Sequence, residues 1–100
     1  MNNVFVVVDN PMGSRLNLGI GINIKAESNI IAEILANIGT PHLKLADNFL
    51  SFVIPEHMAG YFKEALTRMG LRLLDVKSEE AQVLLKEYAE VFRKFSTSQI

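Results

Sequence analysis

Residues 16–25 read LNLGIGINIK, and this stretch sets the fold of the chain. Aliphatic residues stand at every even position and alternate with glycine or polar residues. A period of two over ten residues is typical of a β-strand that turns one face to a core. Two glycines on the other face favour the close approach of another backbone or a ligand. That face carries Gly19, Gly21, Asn23 and Lys25.

The segments on either side of this strand alternate between strand and helix patterns. Val4–Val8 is a β-branched run of strand length, followed by turn-forming residues. Ser28 is a good helix N-cap, and isoleucines and a leucine follow it at helical spacing. The remaining patterns predict strands 42–46 and 49–54 in a hairpin, a helix over 56–69, a strand over 71–76 and a helix over 78–95.

These elements predict one α+β domain over residues 1–100 with a ferredoxin-like βαββαβ antiparallel sheet. The core of the arrangement spans 18–76. Residues 1–17 add an extra N-terminal strand and loop, and 78–95 add an extra C-terminal helix. Helices 28–38 and 56–69 would pack on one face of the sheet. The other face would be covered by a partner or by the terminal helix.

Composition excludes several classes of protein. Ten basic residues balance eleven acidic ones, and the basic residues are scattered, so no patch for nucleic acid is evident. The chain has no cysteine, which excludes disulfides and thiolate metal sites and favours a cytoplasmic location. Its apolar runs are too short for a membrane span. We therefore expect neither nucleic acid nor membrane as a partner.

The residue types also give little sign of chemistry. His42 and His57 are the only strong general-base candidates, and neither has a cysteine to activate. Glu79 and Glu80 suit a helix start, and Glu87 suits a solvated helix face. We expect no catalytic residue, no metal and no cofactor. An enzyme that builds its site between subunits stays open as an alternative, with His42 the first residue to mutate.

The stretch Ile34–Pro55 reads ILANIGTPHLKLADNFLSFVIP, and with it residues 18–76 resemble the ACT domain, a small regulatory module that often binds amino acids. The resemblance rests on a helix ending in glycine, a short strand, a polar turn, and a strand that runs into a Pro-Glu helix start. It implies a ligand site where the first strand of the module meets its first helix. The matching residues are Lys25–Asn29, with Thr40 and His42 approaching from the second strand.

Physical chemistry favours the same junction as a site for a zwitterion. Ser28 and Asn29 stand at a helix N-terminus, whose free N–H groups attract a carboxylate. Glu27 or Asn23 would accept an ammonium group, and Lys25 completes the predicted ligand set. The competing interpretation is that Ser28 simply caps its helix.

The sequence thus predicts a stand-alone ACT-like regulatory domain that binds a small ligand, such as an amino acid, at a homodimer interface. The alternative is a protein-interaction or assembly module without a small ligand. This alternative draws on outward apolar residues of the second hairpin strand, on the glycine-lined strand and on an aromatic stripe in the last helix, which also suits the core of the chain itself. The expected interface residues are Phe49, Val53, Tyr88, Phe92 and Phe95.

Overall fold

The computed structural model describes residues 3–9, 19–37 and 42–98. Strands and helices follow one another in nearly the predicted order, with a short 3₁₀ turn at Glu56–Met58 before the second helix. The strands are β1 (Val4–Asp9), β2 (Ile20–Lys25), β3 (His42–Ala46), β4 (Phe49–Ile54) and β5 (Arg72–Leu74). The helices are α1 (Ser28–Asn37), α2 (Ala59–Arg68) and α3 (Glu79–Ser98).

The five strands form one mixed sheet in the order β3-β4-β2-β1-β5. β2 pairs antiparallel with both β1 and β4, and β3 pairs antiparallel with β4. β1 pairs parallel with β5. The prediction of an α+β fold is confirmed, but the wholly antiparallel sheet is corrected at the β1–β5 pairing.

The position of β1 follows from its composition. Its residues Val4–Val8 form an uninterrupted apolar run, which suits a strand that is covered on both faces and paired on both edges. β1 is therefore an interior strand between β2 and β5. Phe5 and Val6, which point to opposite faces of the sheet, are both fully buried.

One hydrophobic core lies between the sheet and the helices α1 and α2. The even residues of β2 and β4 face it, as the alternation predicts. Ile31 and Ile34 of α1 and Ala59 and Leu66 of α2 close it from above. The sheet contributes Phe5, Ile22, Ile24, Leu50, Phe52 and Ile54.

A second core lies on the other face of the sheet, under α3. Ala81 and Leu84 of α3 are buried there against the sheet. The terminal helix therefore covers the face that the sequence left open. The sheet side of this core consists of Val4, Val6, Leu45, Phe49 and Leu74.

Three details differ from the sequence prediction. Phe49 does not face outward to a partner: it is 5% exposed and belongs to the second core, because α3 covers that face. The carbonyl of Glu27 accepts hydrogen bonds from the N–H groups of Ile30 and Ile31, so the cap position of α1 is Glu27 and not Ser28. β5 is three residues long because a turn at Asp75 leads into α3.

Candidate functional site

A groove of 240 Å³ opens between α3 and the sheet, where β1 begins and β2 ends. Its floor and sides are apolar, and three ionisable side chains stand among them. The apolar lining is Val4, Leu74, Val83 and Leu84. The ionisable lining is Lys25, Glu80 and Glu87.

Strand register and helix period explain why these residues meet. Val4 of β1 stands opposite Lys25 on one side and Arg72 on the other, so the three form a row across the sheet. On α3, Glu80, Leu84 and Glu87 follow at i, i+4 and i+7 and share one face of the helix. The row and this helix face form the two walls of the groove.

Two ion pairs join these walls. Lys25 Nζ lies 2.8 Å from Glu87 Oε2, with side-chain exposures of 30% and 41%. An Arg72 guanidinium N–H donates to Glu80 Oε2 at 2.6 Å. Lys25 Nζ also stands 5.7 Å from the centre of the Phe49 ring, within reach of a cation–π contact. The lining holds one cation and two carboxylates, and Arg72, which pairs with Glu80 from outside the lining, brings the net charge of this cluster to zero.

A short polar chain lies beside the groove, between the sheet and α3. The Tyr88 hydroxyl donates to Ser51 Oγ at 3.3 Å, and Ser51 Oγ donates to Asn23 Oδ1 at 3.1 Å. Among the described residues, Asn23 is the only polar side chain that is buried, at 8% exposure. A buried amide without a hydrogen-bond partner would be costly, and the Ser51 hydroxyl supplies that partner to Asn23.

The predicted ligand residues do not form one site in the structure. Asn23 and Lys25 turn toward α3. Glu27, Ser28 and Asn29 are exposed at the start of α1, which packs on the opposite face of the sheet. The period of two explains this division, because the odd residues of β2 face away from α1.

Two residues of the predicted site, Thr40 and His42, were expected to approach from the second strand of the ACT-like module. Thr40 lies outside the described residues. His42 belongs to β3, where it pairs with Phe52 of β4. The backbone of His42 is described, and its side chain is not.

The predicted interface residues also separate. Tyr88 and Phe95 pack against the second core and are half-buried. Val53 and Phe92 are each 40% exposed, and the Phe92 ring stacks on Tyr88 at 6.1 Å between centroids. With Phe49 buried, exposed apolar surface from this set comes from Val53 and Phe92.

Sequence reasoning missed Glu80, Glu87 and Arg72 as residues of the site. The local sequence predicts a helix start at Glu80 and a solvated helix face at Glu87. The i, i+7 spacing of the two glutamates was a weak signal that they share a face. Their partners stand far away in the chain, since Lys25 and Glu87 are 62 residues apart, and no local pattern reveals such a pair.

The described residues contain neither a cluster of metal-ligating side chains nor a helix suited to cross a membrane. No group of three or more His, Cys, Asp or Glu side chains in 3–9, 19–37 and 42–98 is arranged to hold a metal ion. No helix in the same ranges has both the length and the apolar character that crossing a membrane requires. Comparisons of the chain with protein-family models, with curated proteins and with solved structures give no match.

Proposed function

We propose that this chain is a non-catalytic regulatory domain that binds a small zwitterion of the amino-acid class in the groove between the sheet and α3. One observation carries the proposal: Lys25, Glu80 and Glu87 line a groove with an apolar floor, and Arg72 pairs with Glu80 beside it. A carboxylate and an ammonium group on one small molecule would each find a partner of opposite charge there.

The charges of the groove favour a ligand without net charge. Two cations and two carboxylates disfavour phosphate esters, which need a surplus of positive charge, and polyamines, which need a surplus of negative charge. Most side chains of the two existing ion pairs are more than one-third exposed. Ion pairs with this exposure contribute about 1 kcal/mol or less to the free energy of unfolding. A ligand therefore exchanges partners with Lys25 and Glu87 at little cost.

The size of the groove favours a small molecule. Pockets for drug-sized ligands measure about 300–1,000 Å³, and this groove measures 240 Å³. An amino acid fits that volume better than a nucleotide does. Val4, Leu74 and Leu84 offer apolar surface to the side chain of such a ligand.

The resemblance to the ACT domain supports the same class of ligand. Without β1, the strand order would be β3-β4-β2-β5, the order of a ferredoxin-like sheet. We propose that the chain is a variant of this fold with β1 inserted between β2 and β5. As a regulatory domain it would act in the cytoplasm as a homodimer, with Val53 and Phe92 as exposed apolar surface for the contact.

A thermal-shift screen against each of the twenty amino acids, at about a millimolar, tests the proposal. An amino acid present at a hundredfold its Kd stabilises the fold by about 2.7 kcal/mol. We expect at least one to raise Tm, and we expect Lys25→Met to abolish that rise. Arg68→Met is the matched control, because it removes the ion pair with Glu64 on α2, on the far face of the sheet.

Two results would count against the proposal. One is the absence of a shift with every amino acid, and the other is an equal shift in Lys25→Met and Arg68→Met. The alternative function, an interaction module without a small ligand, is favoured by the exposure of Val53 and Phe92. It predicts no shift with any amino acid, and this result separates it from the proposed function, because a Tm that rises with the concentration of the chain is expected of a homodimer in either case.

A further inference from the structure

Glu87 and Tyr88 are adjacent on α3 and reach two different strands. Glu87 pairs with Lys25 at the end of β2, and Tyr88 donates to Ser51 on β4. Ser51 in turn donates to Asn23, which stands two residues before Lys25 on the same face of β2. The five side chains therefore close a ring between the helix and two strands. We call this ring the α3 latch.

Burial along α3 shows why the latch matters to the helix. Ala81 and Leu84, in its first two turns, are at most 3% exposed. The apolar residues of the second half that pack on this core, Val91 and Phe95, are only half-buried. The second half of the helix is therefore held to the sheet by less apolar contact than the first half, and polar contacts weigh more there.

The start of α3 is fixed by contacts of its own. Ser78 Oγ accepts from the N–H of Ala81, which satisfies one free donor of the first turn. The Gln82 side chain donates to the carbonyl of Val76, and Arg72 pairs with Glu80. These contacts hold the first half of the helix without any residue of the latch.

The hydrogen bond at the centre of the latch is long. The Tyr88–Ser51 distance of 3.3 Å exceeds the most frequent O–H···O distance of about 2.7–2.8 Å. Lys25 and Glu87, on the other side of the ring, both line the groove. A molecule that binds Lys25 or Glu87 breaks the ion pair between them, and Glu87 is the residue directly before Tyr88.

We propose that the α3 latch couples the groove to the outer surface of α3. Loss of the Lys25–Glu87 pair loosens the Tyr88–Ser51 contact, moves the second half of α3 away from the sheet and changes the exposure of Phe92, which stacks on Tyr88. The coupling rests on the proposed function for its trigger, a ligand in the groove. The residues of the latch carry the coupling whether or not a ligand is bound.

The latch is testable without any ligand. The chain has two tyrosines and no tryptophan, so Tyr61→Phe leaves Tyr88 as the only tyrosine and as the source of the tyrosine fluorescence. In that background we expect Lys25→Met to raise acrylamide quenching of Tyr88 fluorescence by about twofold or more, because the ring becomes exposed. Glu87→Gln breaks the same pair from the helix side and should give the same rise. Arg68→Met, on α2, should give none.

A double-mutant cycle separates coupling from a general loosening of the helix. Ser51→Ala removes the acceptor of Tyr88 and should raise quenching by itself. If the latch is one unit, adding Lys25→Met to Ser51→Ala gives much less than the sum of the two single effects. Additive effects, or quenching in Lys25→Met equal to that in Arg68→Met, would overturn the proposal.

The outcomes of the two tests are independent. Amino-acid binding without a response of Tyr88 to Lys25→Met would remove the latch and leave the proposed function. A response of Tyr88 in a chain that binds no amino acid would remove the proposed function and leave the coupling.

Discussion

At Gly19 another segment of backbone comes as close as the strand pattern predicted. Its φ of +103° lies in the region that favours glycine, and a Cβ there would collide with the backbone carbonyl of Ile54. The sequence indicated a close neighbour from the glycines on one face of the strand. The identity of that neighbour was not predictable, because Ile54 is 35 residues away.

Replacing Gly19 by alanine should lower the free energy of unfolding by about 2 kcal/mol or more, because strain at positive φ adds to the collision. Gly60→Ala is the matched control. Gly60 lies in α2 with open space around it, so alanine should leave the stability unchanged or raise it by up to about 1 kcal/mol. Chemical denaturation measures both. Equal effects at the two positions would contradict the assigned backbone of Gly19.

The residues of the groove divide into those that the sequence could indicate and those that it could not. Lys25 ends β2 on the polar face of the alternation, directly before the helix start at which the sequence predicted a ligand site. Nothing in the local sequence links its partner Glu87 to Lys25, because any helix with a solvent-exposed face carries such glutamates. Pairs that depend on tertiary packing are therefore found from the structure and not from the pattern.

Helix α3 shows how far periodicity reaches for a whole element. The pattern predicted a helix over 78–95 with one apolar stripe, and α3 spans Glu79–Ser98 with Ala81 and Leu84 of that stripe buried. The pattern left open which surface the stripe would meet. The core of the chain itself, a second subunit and another partner all suit an aromatic stripe, and the structure places α3 on its own sheet.

Two neighbouring residues test the packing of α3. Leu84 is 3% exposed and Val83 is 53% exposed. Leu84→Ala should lower the free energy of unfolding by about 3 kcal/mol, since it removes apolar contact and leaves a cavity. Val83→Ala should change it by no more than about 0.5 kcal/mol. Urea titrations compare the two, and a loss at Val83 as large as the loss at Leu84 would show that α3 is rotated from the position described.

Strand β1 marks the limit of the fold prediction. Its uninterrupted apolar run indicated a buried strand, and the four following strands and two helices suggested a ferredoxin-like core to which β1 would be added. The run carries no information on which two strands β1 separates. Its parallel pairing with β5 is a long-range choice, set by packing on both faces of the sheet.

For the molecule as a whole, insertion of β1 creates the groove. Val4 and its neighbours Lys25 and Arg72 form one wall only because β1 stands between β2 and β5. α3, which crosses the face that the ferredoxin-like pattern leaves bare, supplies the other wall. The groove therefore depends on two elements outside residues 18–76, and for this reason neither the resemblance nor the free N–H groups of the helix start indicated it.

A ¹H–¹⁵N correlation spectrum, recorded with and without a pooled mixture of the twenty amino acids at about a millimolar each, tests the groove most directly. We expect the largest shifts at the amides of Lys25, Leu74 and residues 80–87, on the two walls of the groove. Shifts centred on Ser28 and Asn29 at the start of α1, or an unchanged spectrum, would contradict the assignment of the groove as the ligand site.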